Sequence, residues 1–194
     1  MDRLAVAERA ASILHRKQLV LRHEERRLAA LAERTATAWT AAVRDAQTWQ
    51  RRAMILGDRS GLQAAASAAS PAIARLTWRT EMGVEFPSEA SCELSTTPPI
   101  AGTPALAAAA AAYRHALQAA VEHAAATTAV ARVSTELTLT QRRLRAVRDR
   151  WIPELHTTLR ELELRLDEHE REELTRTRLH PTIPDPAYST PEPR

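Results

Sequence analysis

"LAVAERAASILHRKQLVLRHEERRLAALAERTATAWTAAVRDAQTWQRRAMIL", residues 4 to 56, decides the fold. Step along it by alternating threes and fours: Leu4, Ala7, Ala11, Leu14, Gln18, Leu21, Glu25, Leu28, Ala32, Thr35, Trp39, Ala42, Ala46, Trp49, Ala53, Leu56. Only Gln18, Glu25 and Thr35 are polar. That spacing holds one stripe of a helix against one partner, which is the pattern of a coiled-coil seam. At about 1.5 Å per residue the helix would run roughly 80 Å. Gly57 is placed to end it.

The partner lies near the other end. Val130, Val133, Leu137, Thr140, Leu144, Val147 and Trp151 form a second seam. Beyond Trp151 a step of three would land on Glu154, yet the apolar residue is Leu155, and the stripe continues through Leu159, Leu162 and Leu166. The spacing gains one residue, a stutter-like shift that locally unwinds a supercoil. Pro153 sits inside this break. A proline within a helix removes a hydrogen bond and clashes one turn back, at about 3 kcal/mol. The defect is tolerable where the seam must re-phase anyway.

Composition supports helices over a globule. Hydrophobic residues make up 44% of the 194, but alanine is the largest part of that share, with one Phe, two Tyr and four Trp. Alanine is the best helix former and buries little area. Residues 1 to 60 carry twelve basic and seven acidic side chains, while 134 to 180 carry ten of each, the usual solvated faces of helical pairs. The lone Cys92 excludes an intrachain disulfide and points to the cytosol. Neither a signal peptide nor a run of 18 apolar residues is present, so any membrane link goes through a partner.

The punctuation is concentrated in the middle. All four glycines fall between Gly57 and Gly102, and five of the eleven prolines between Pro71 and Pro104. "GLQAAASAAS" at 61 to 70 reads as a short helix. "IARLTWRTEMGVEF" at 73 to 86 carries β-branched and aromatic residues around Gly83, which reads as a small hairpin. Thr103 and Pro104 suit the N-cap and first position of the next helix. The expected architecture is all-α: a long antiparallel two-helix coiled coil with a short irregular middle and a disordered Pro-rich tail. Its parts are a helix at 1–57, a middle segment at 58–103, a second long helix at 104–180 and the tail at 181–194. Small seam residues such as Ala42, Ala46 and Ala53 let the two backbones approach closely, giving a thin, stiff rod.

Catalytic chemistry has no foothold. "DEHEREE" around His169 lacks a second His at metal-ligand spacing, and His115 and His123 share a face with nothing to complete a site. Phosphate-cradling glycine loops are absent, so no metal, cofactor or catalytic residue is expected. "QRRLRAVRDR" at 141 to 150 holds five arginines and one aspartate. It admits three readings: a solvated face balanced by acids on the facing helix, a surface for an acidic protein, or a nucleic-acid surface. Aromatics interleaved for base stacking are missing, because Trp151, like Trp39 and Trp49, falls on a seam.

"TLTQRRLRAVRDRWIPELHTTLRELELRLDEHEREELTR", residues 138 to 176, resembles the C-terminal helix of the D subunits of V-type/A-type rotary ATPases. Thr140, Arg142, Arg143, Leu144, Ala146, Ile152, Pro153, Leu155 and the "EREE" at 170 to 173 carry the likeness. "ILHRKQLVLRHEERRL" at 13 to 28 resembles the family's N-terminal stretch through Leu14, Arg16, Lys17 and Leu21. "MGVEFP" at 82 to 87 resembles its central segment. Arg145 departs from the pattern, where an asparagine is common.

The resemblance implies a non-catalytic central axle of a proton- or sodium-transporting ATPase or ATP synthase. Such an axle enters the hexamer of catalytic A and B subunits, binds the small F subunit, and reaches the membrane ring through the C subunit. It implies a cytoplasmic place, peripheral to the membrane through the complex, with neither nucleic-acid binding nor direct membrane insertion. Arg142, Arg143, Arg145, Trp151, Pro153, Met82 and Gly83 are the candidate coupling or packing positions. A free-standing coiled-coil scaffold or adaptor is the alternative.

Overall fold

The computed structural model describes residues 2–56, 59–67, 71–94 and 103–179. The element order is α1 (Asp2–Ile55), α2 (Arg59–Ser67), β1 (Ile73–Glu81), β2 (Val84–Glu93), α3 (Pro104–Arg145), a π-helical stretch (Ala146–Trp151) and α4 (Ile152–Leu179). The expected stop at Gly57 and the Pro-rich tail from residue 181 lie outside the described residues. The described residues pack as two compact units, one within 12–144 and the other from 2–11 with 145–179.

In the larger unit, α1 and α3 run antiparallel. Lys17 meets Glu136, Thr35 meets His123, and Gln50 meets Tyr113, so numbers rise on one helix as they fall on the other. The helices form where propensity is strongest, in runs of Ala, Leu, Glu and Arg. They persist because a 3,4 stripe has something to cover it. The hydrophobic residues buried on α1 are Ala7, Ala11, Leu21, Leu28, Ala42, Ala46 and Ala53, every one at an expected seam position. On α3 they include Val133, Leu137 and Leu144, again as spaced in the sequence, and buried Thr140 falls on the same stripe. One detail differs: Ala129 is buried completely and Val130 only partly. The stripe also runs further back than 130, through Ala109, Ala112, Ala116, Ala119 and Ala126. At the start of α3, Thr103 Oγ1 accepts the Leu106 amide at 3.3 Å, the expected cap.

The hairpin has a two-residue turn, Met82-Gly83, with φ of 50° and 78°. Positive φ at both central residues is the twist-matched turn that joins antiparallel strands. The strands pair from Glu81↔Val84 to Ile73↔Glu93, with a shift after Thr77 that leaves Ser88 unpaired. The Ser88 hydroxyl donates to the Thr77 carbonyl at 3.2 Å, closing the bulge. A lone two-stranded hairpin is marginal in water. This one is anchored: Val84 and Phe86 enter a core with Leu21, Leu28, Ala129, Val133 and Leu137. Phe86, the only phenylalanine in the chain, is fully buried. Truncating it to alanine would cost about 3–5 kcal/mol.

In the smaller unit, the irregularity at Pro153 takes a definite form. Residues 146–151 are π-helical, and the Ile152 amide donates to the Val147 carbonyl, five residues back. A π turn absorbs one more residue than an α turn. This is the residue gained in the apolar spacing between Trp151 and Leu155. Pro153, having no amide proton, begins the return to α geometry where a donor is missing anyway. No residue of the π stretch or of α4 is buried.

Candidate functional site

The candidate positions fall into two groups, one at the hairpin turn and one in the basic run. Met82 is 43% exposed and Gly83 is exposed. Gly83, Val84 and Glu85 line an open groove of about 520 Å³ against Thr128, Arg132, Thr135 and Glu136 of α3. Neither Arg142 nor Arg143 reaches this groove. The turn is held to α3 by Arg132. Its Nη1 donates to the Glu85 carbonyl at 3.0 Å, and its guanidinium stacks 4.8 Å from the Trp78 ring centroid. Such a cation–π contact contributes about 0.5–1 kcal/mol near the surface.

Arg142 and Arg143 are exposed at the end of α3 in the larger unit. In the smaller unit Arg145, Arg148 and Arg150 are exposed, and Pro153 is exposed as well. Trp151 is 48% exposed, where the seam spacing placed it in the core. The physical reason is the π stretch, which changes the angular step between Ala146 and Trp151 and hands the seam to half-buried Ile152, Leu155 and Leu159. Trp39 is likewise 39% exposed, its ring stacked on His123.

Sequence spacing missed three polar features. Glu24 is buried one step off the seam and receives the Arg27 guanidinium at 3.0 and 2.5 Å. That hydrogen bond holds the Glu24 carboxyl below its ordinary value, against the opposing effect of burial, while the pairing raises Arg27. Arg79, paired with Glu81 at 2.6 Å on the hairpin, adds a further lowering. The second feature is the Arg132 clamp, and the third is the His123–Thr35 contact. The only hint of the first in the sequence was Glu24 lying three residues from both Leu21 and Arg27, a spacing that surface pairs share.

Among the described residues no group of three or more His, Cys, Asp or Glu could hold a metal ion. No helix among them is long and apolar enough to cross a membrane. What the geometry offers is a paired-helix scaffold with a clamped hairpin and a run of exposed guanidinium groups. The family model for the ATP synthase D subunit matches residues 1–180.

The chain belongs to the family of ATP synthase D subunits.

No curated protein matches the chain. Both long helices and the hairpin fall inside the matched span, so the family likeness runs through all of the described elements. The match agrees with the resemblance to the V-type/A-type rotary ATPases, in which the D subunit is part of the stalk. The hairpin turn and the basic run are therefore surfaces of a D subunit.

Proposed function

We propose that this chain is the non-catalytic central rotor shaft of a V/A-type ATPase or ATP synthase. It carries torque between the membrane ring and the catalytic A and B subunits, coupling ATP synthesis or hydrolysis to movement of H⁺ or Na⁺. The F and C subunits are its stalk partners. It acts at the cytoplasmic face, peripheral to the membrane through the complex.

The observation that carries this reading is the antiparallel α1–α3 pair of a family member, packed along a continuous 3,4 stripe. Two helices packed side by side resist twisting better than either alone. The π stretch and Pro153 interrupt the regular winding of the second long helical segment. The exposed arginines Arg142, Arg143 and Arg145 meet acidic or carbonyl-lined surfaces of the catalytic subunits. Solvated contacts of about 0–1 kcal/mol each can break and re-form at every step.

Co-expression with the A and B subunits tests the assignment. The chain should co-purify with the hexamer, and vesicles carrying the whole complex should pump protons on ATP addition only when the chain is present. A chain that purifies alone, with pumping unaffected by its deletion, would instead be a free-standing scaffold. Within the assembled complex, replacing Arg142, Arg143 and Arg145 together by alanine should leave assembly intact and lower the ions moved per ATP. Unchanged coupling would remove the arginines from the mechanism while leaving the shaft in place.

A further inference from the structure

The α1–α3 seam changes character partway along. On one side Leu21, Leu28, Val133 and Leu137 form a bulky core beneath the hairpin. On the other the buried residues are alanine, Ala42 and Ala46 against Ala112, Ala116 and Ala119, with half-buried Val43 and Trp49 packed beside them. Between them stand Thr35, Trp39 and His123.

All three occupy the stripe: Thr35 and Trp39 fall between Ala32 and Ala42, and His123 falls between Ala119 and Ala126, at steps of three and four. Thr35 Oγ1 lies 3.0 Å from the carbonyl oxygens of both Leu31 and Ala32, which accept its proton. With its proton so engaged, the hydroxyl oxygen lies 3.2 Å from His123 Nδ1, a pairing that requires the tautomer with the proton on Nδ1. The same imidazole stacks on Trp39, with centroids 5.4 Å apart and planes 23° apart. One ring on α3 is thus held by its edge and by its face to two residues one turn apart on α1.

Apolar packing alone defines the axial register poorly. Ala105, Ala109 and Ala112 lie one heptad before Ala112, Ala116 and Ala119, so a seven-residue slip lays alanine on alanine. On the α1 side Leu14, Leu21 and Leu28 are also a heptad apart, so leucine replaces leucine there, while on α3 Val133 would give way to Ala126 or Thr140 and Leu137 to Val130 or Leu144. The polar contacts crossing between the helices include Lys17–Glu136 and Tyr113–Gln50, but their members flank the stripe. Thr35–His123 has both members on it. A slip of one heptad would set His123 opposite Leu28 or Ala42 in place of Thr35, and Nδ1–H would lose its acceptor within the seam.

We propose that His123, with Thr35 and Trp39, is the register key of the helical pair: a polar layer that selects one axial alignment at some expense in stability. A single polar seam residue can act this way in coiled coils. The inference stands whether or not the chain is a rotor, since it concerns only how α1 and α3 align.

The test places spin labels at exposed Gln47 and Ala107 of the full-length chain in a Cys92→Ser background and reads distances by pulsed EPR. The native sequence should give one population. His123→Leu with Thr35→Val should retain or raise resistance to urea and add a second population, its axial offset changed by about 10 Å, the rise of seven helical residues. His123→Gln, which still offers an N–H, should restore the single population. One unchanged population in the apolar double variant would overturn the proposal. So would loss of stability without a second register, because that is the behaviour of ordinary packing residues.

Discussion

Thr140 offers a sharp test of how the seam is stabilised. Its side chain is fully buried, and Oγ1 has no hydrogen-bond partner. Other helical threonines behave differently: Thr127, Thr128, Thr135, Thr138, Thr157 and Thr158 each donate to the carbonyl four residues back. A buried hydroxyl left unpaired costs about 1–3 kcal/mol. Valine has nearly the same shape, so Thr140→Val leaves the packing in place and removes the unpaired group. Taking the lower end of that range, the variant should be more stable by about 1 kcal/mol. For a chain of this size that raises Tm by roughly 2–4 °C. Thermal and urea unfolding followed by circular dichroism at 222 nm would measure it, with Thr138→Val as an exposed control expected to change stability by less than about 0.5 kcal/mol. Thr140→Ala should be less stable than Thr140→Val, because it deletes the methyl group along with the hydroxyl. If Thr140→Val instead destabilises the protein by about 1 kcal/mol or more, the hydroxyl has a partner worth keeping, and the reasoning fails.

Three other substitutions probe the buried Glu24 pair and the hairpin turn. The Glu24 carboxyl is held below its unfolded value of 4.5 by Arg27, so its contribution is full above pH 4.5 and is lost as the pH falls through the lower folded value. Glu24→Gln should therefore cost about 1–2 kcal/mol at pH 7, and the gap to the native protein should close in urea titrations below pH 4; a gap independent of pH would refute the pairing. Gly83 has φ of 78° with nothing within 4 Å of an added Cβ, so Gly83→Ala meets backbone strain alone, about 1–2 kcal/mol. Faster amide exchange confined to residues 73–93 should report it, and Met82→Asn, which tolerates φ of 50° better, should slow the same exchange.

Much of the architecture was legible because it follows from local geometry. A step of three and four is a property of the helix itself, so the buried face of α1 from Ala7 to Ala53 could be read before any partner was known. The apolar spacing likewise displayed an extra residue before Leu155, and the hairpin announced itself through a glycine in a β-branched run. The form of the break, a π stretch ending at Ile152, was not legible, since many local windings can absorb one residue. Nor could spacing say that Trp151 would be half exposed, because that depends on the winding before it.

The chain's own order of residues determined two long helices with matching stripes, a small hairpin around Gly83 and a change of phase at Pro153. Only the tertiary structure decided that Phe86 seals the core between Leu21 and Val133, that Glu24 is buried against Arg27, and that His123 finds Thr35 across the seam. The division has a physical cause. Periodicity is written in backbone geometry that neighbouring residues share, whereas burial and pairing depend on which distant surface arrives to exclude water.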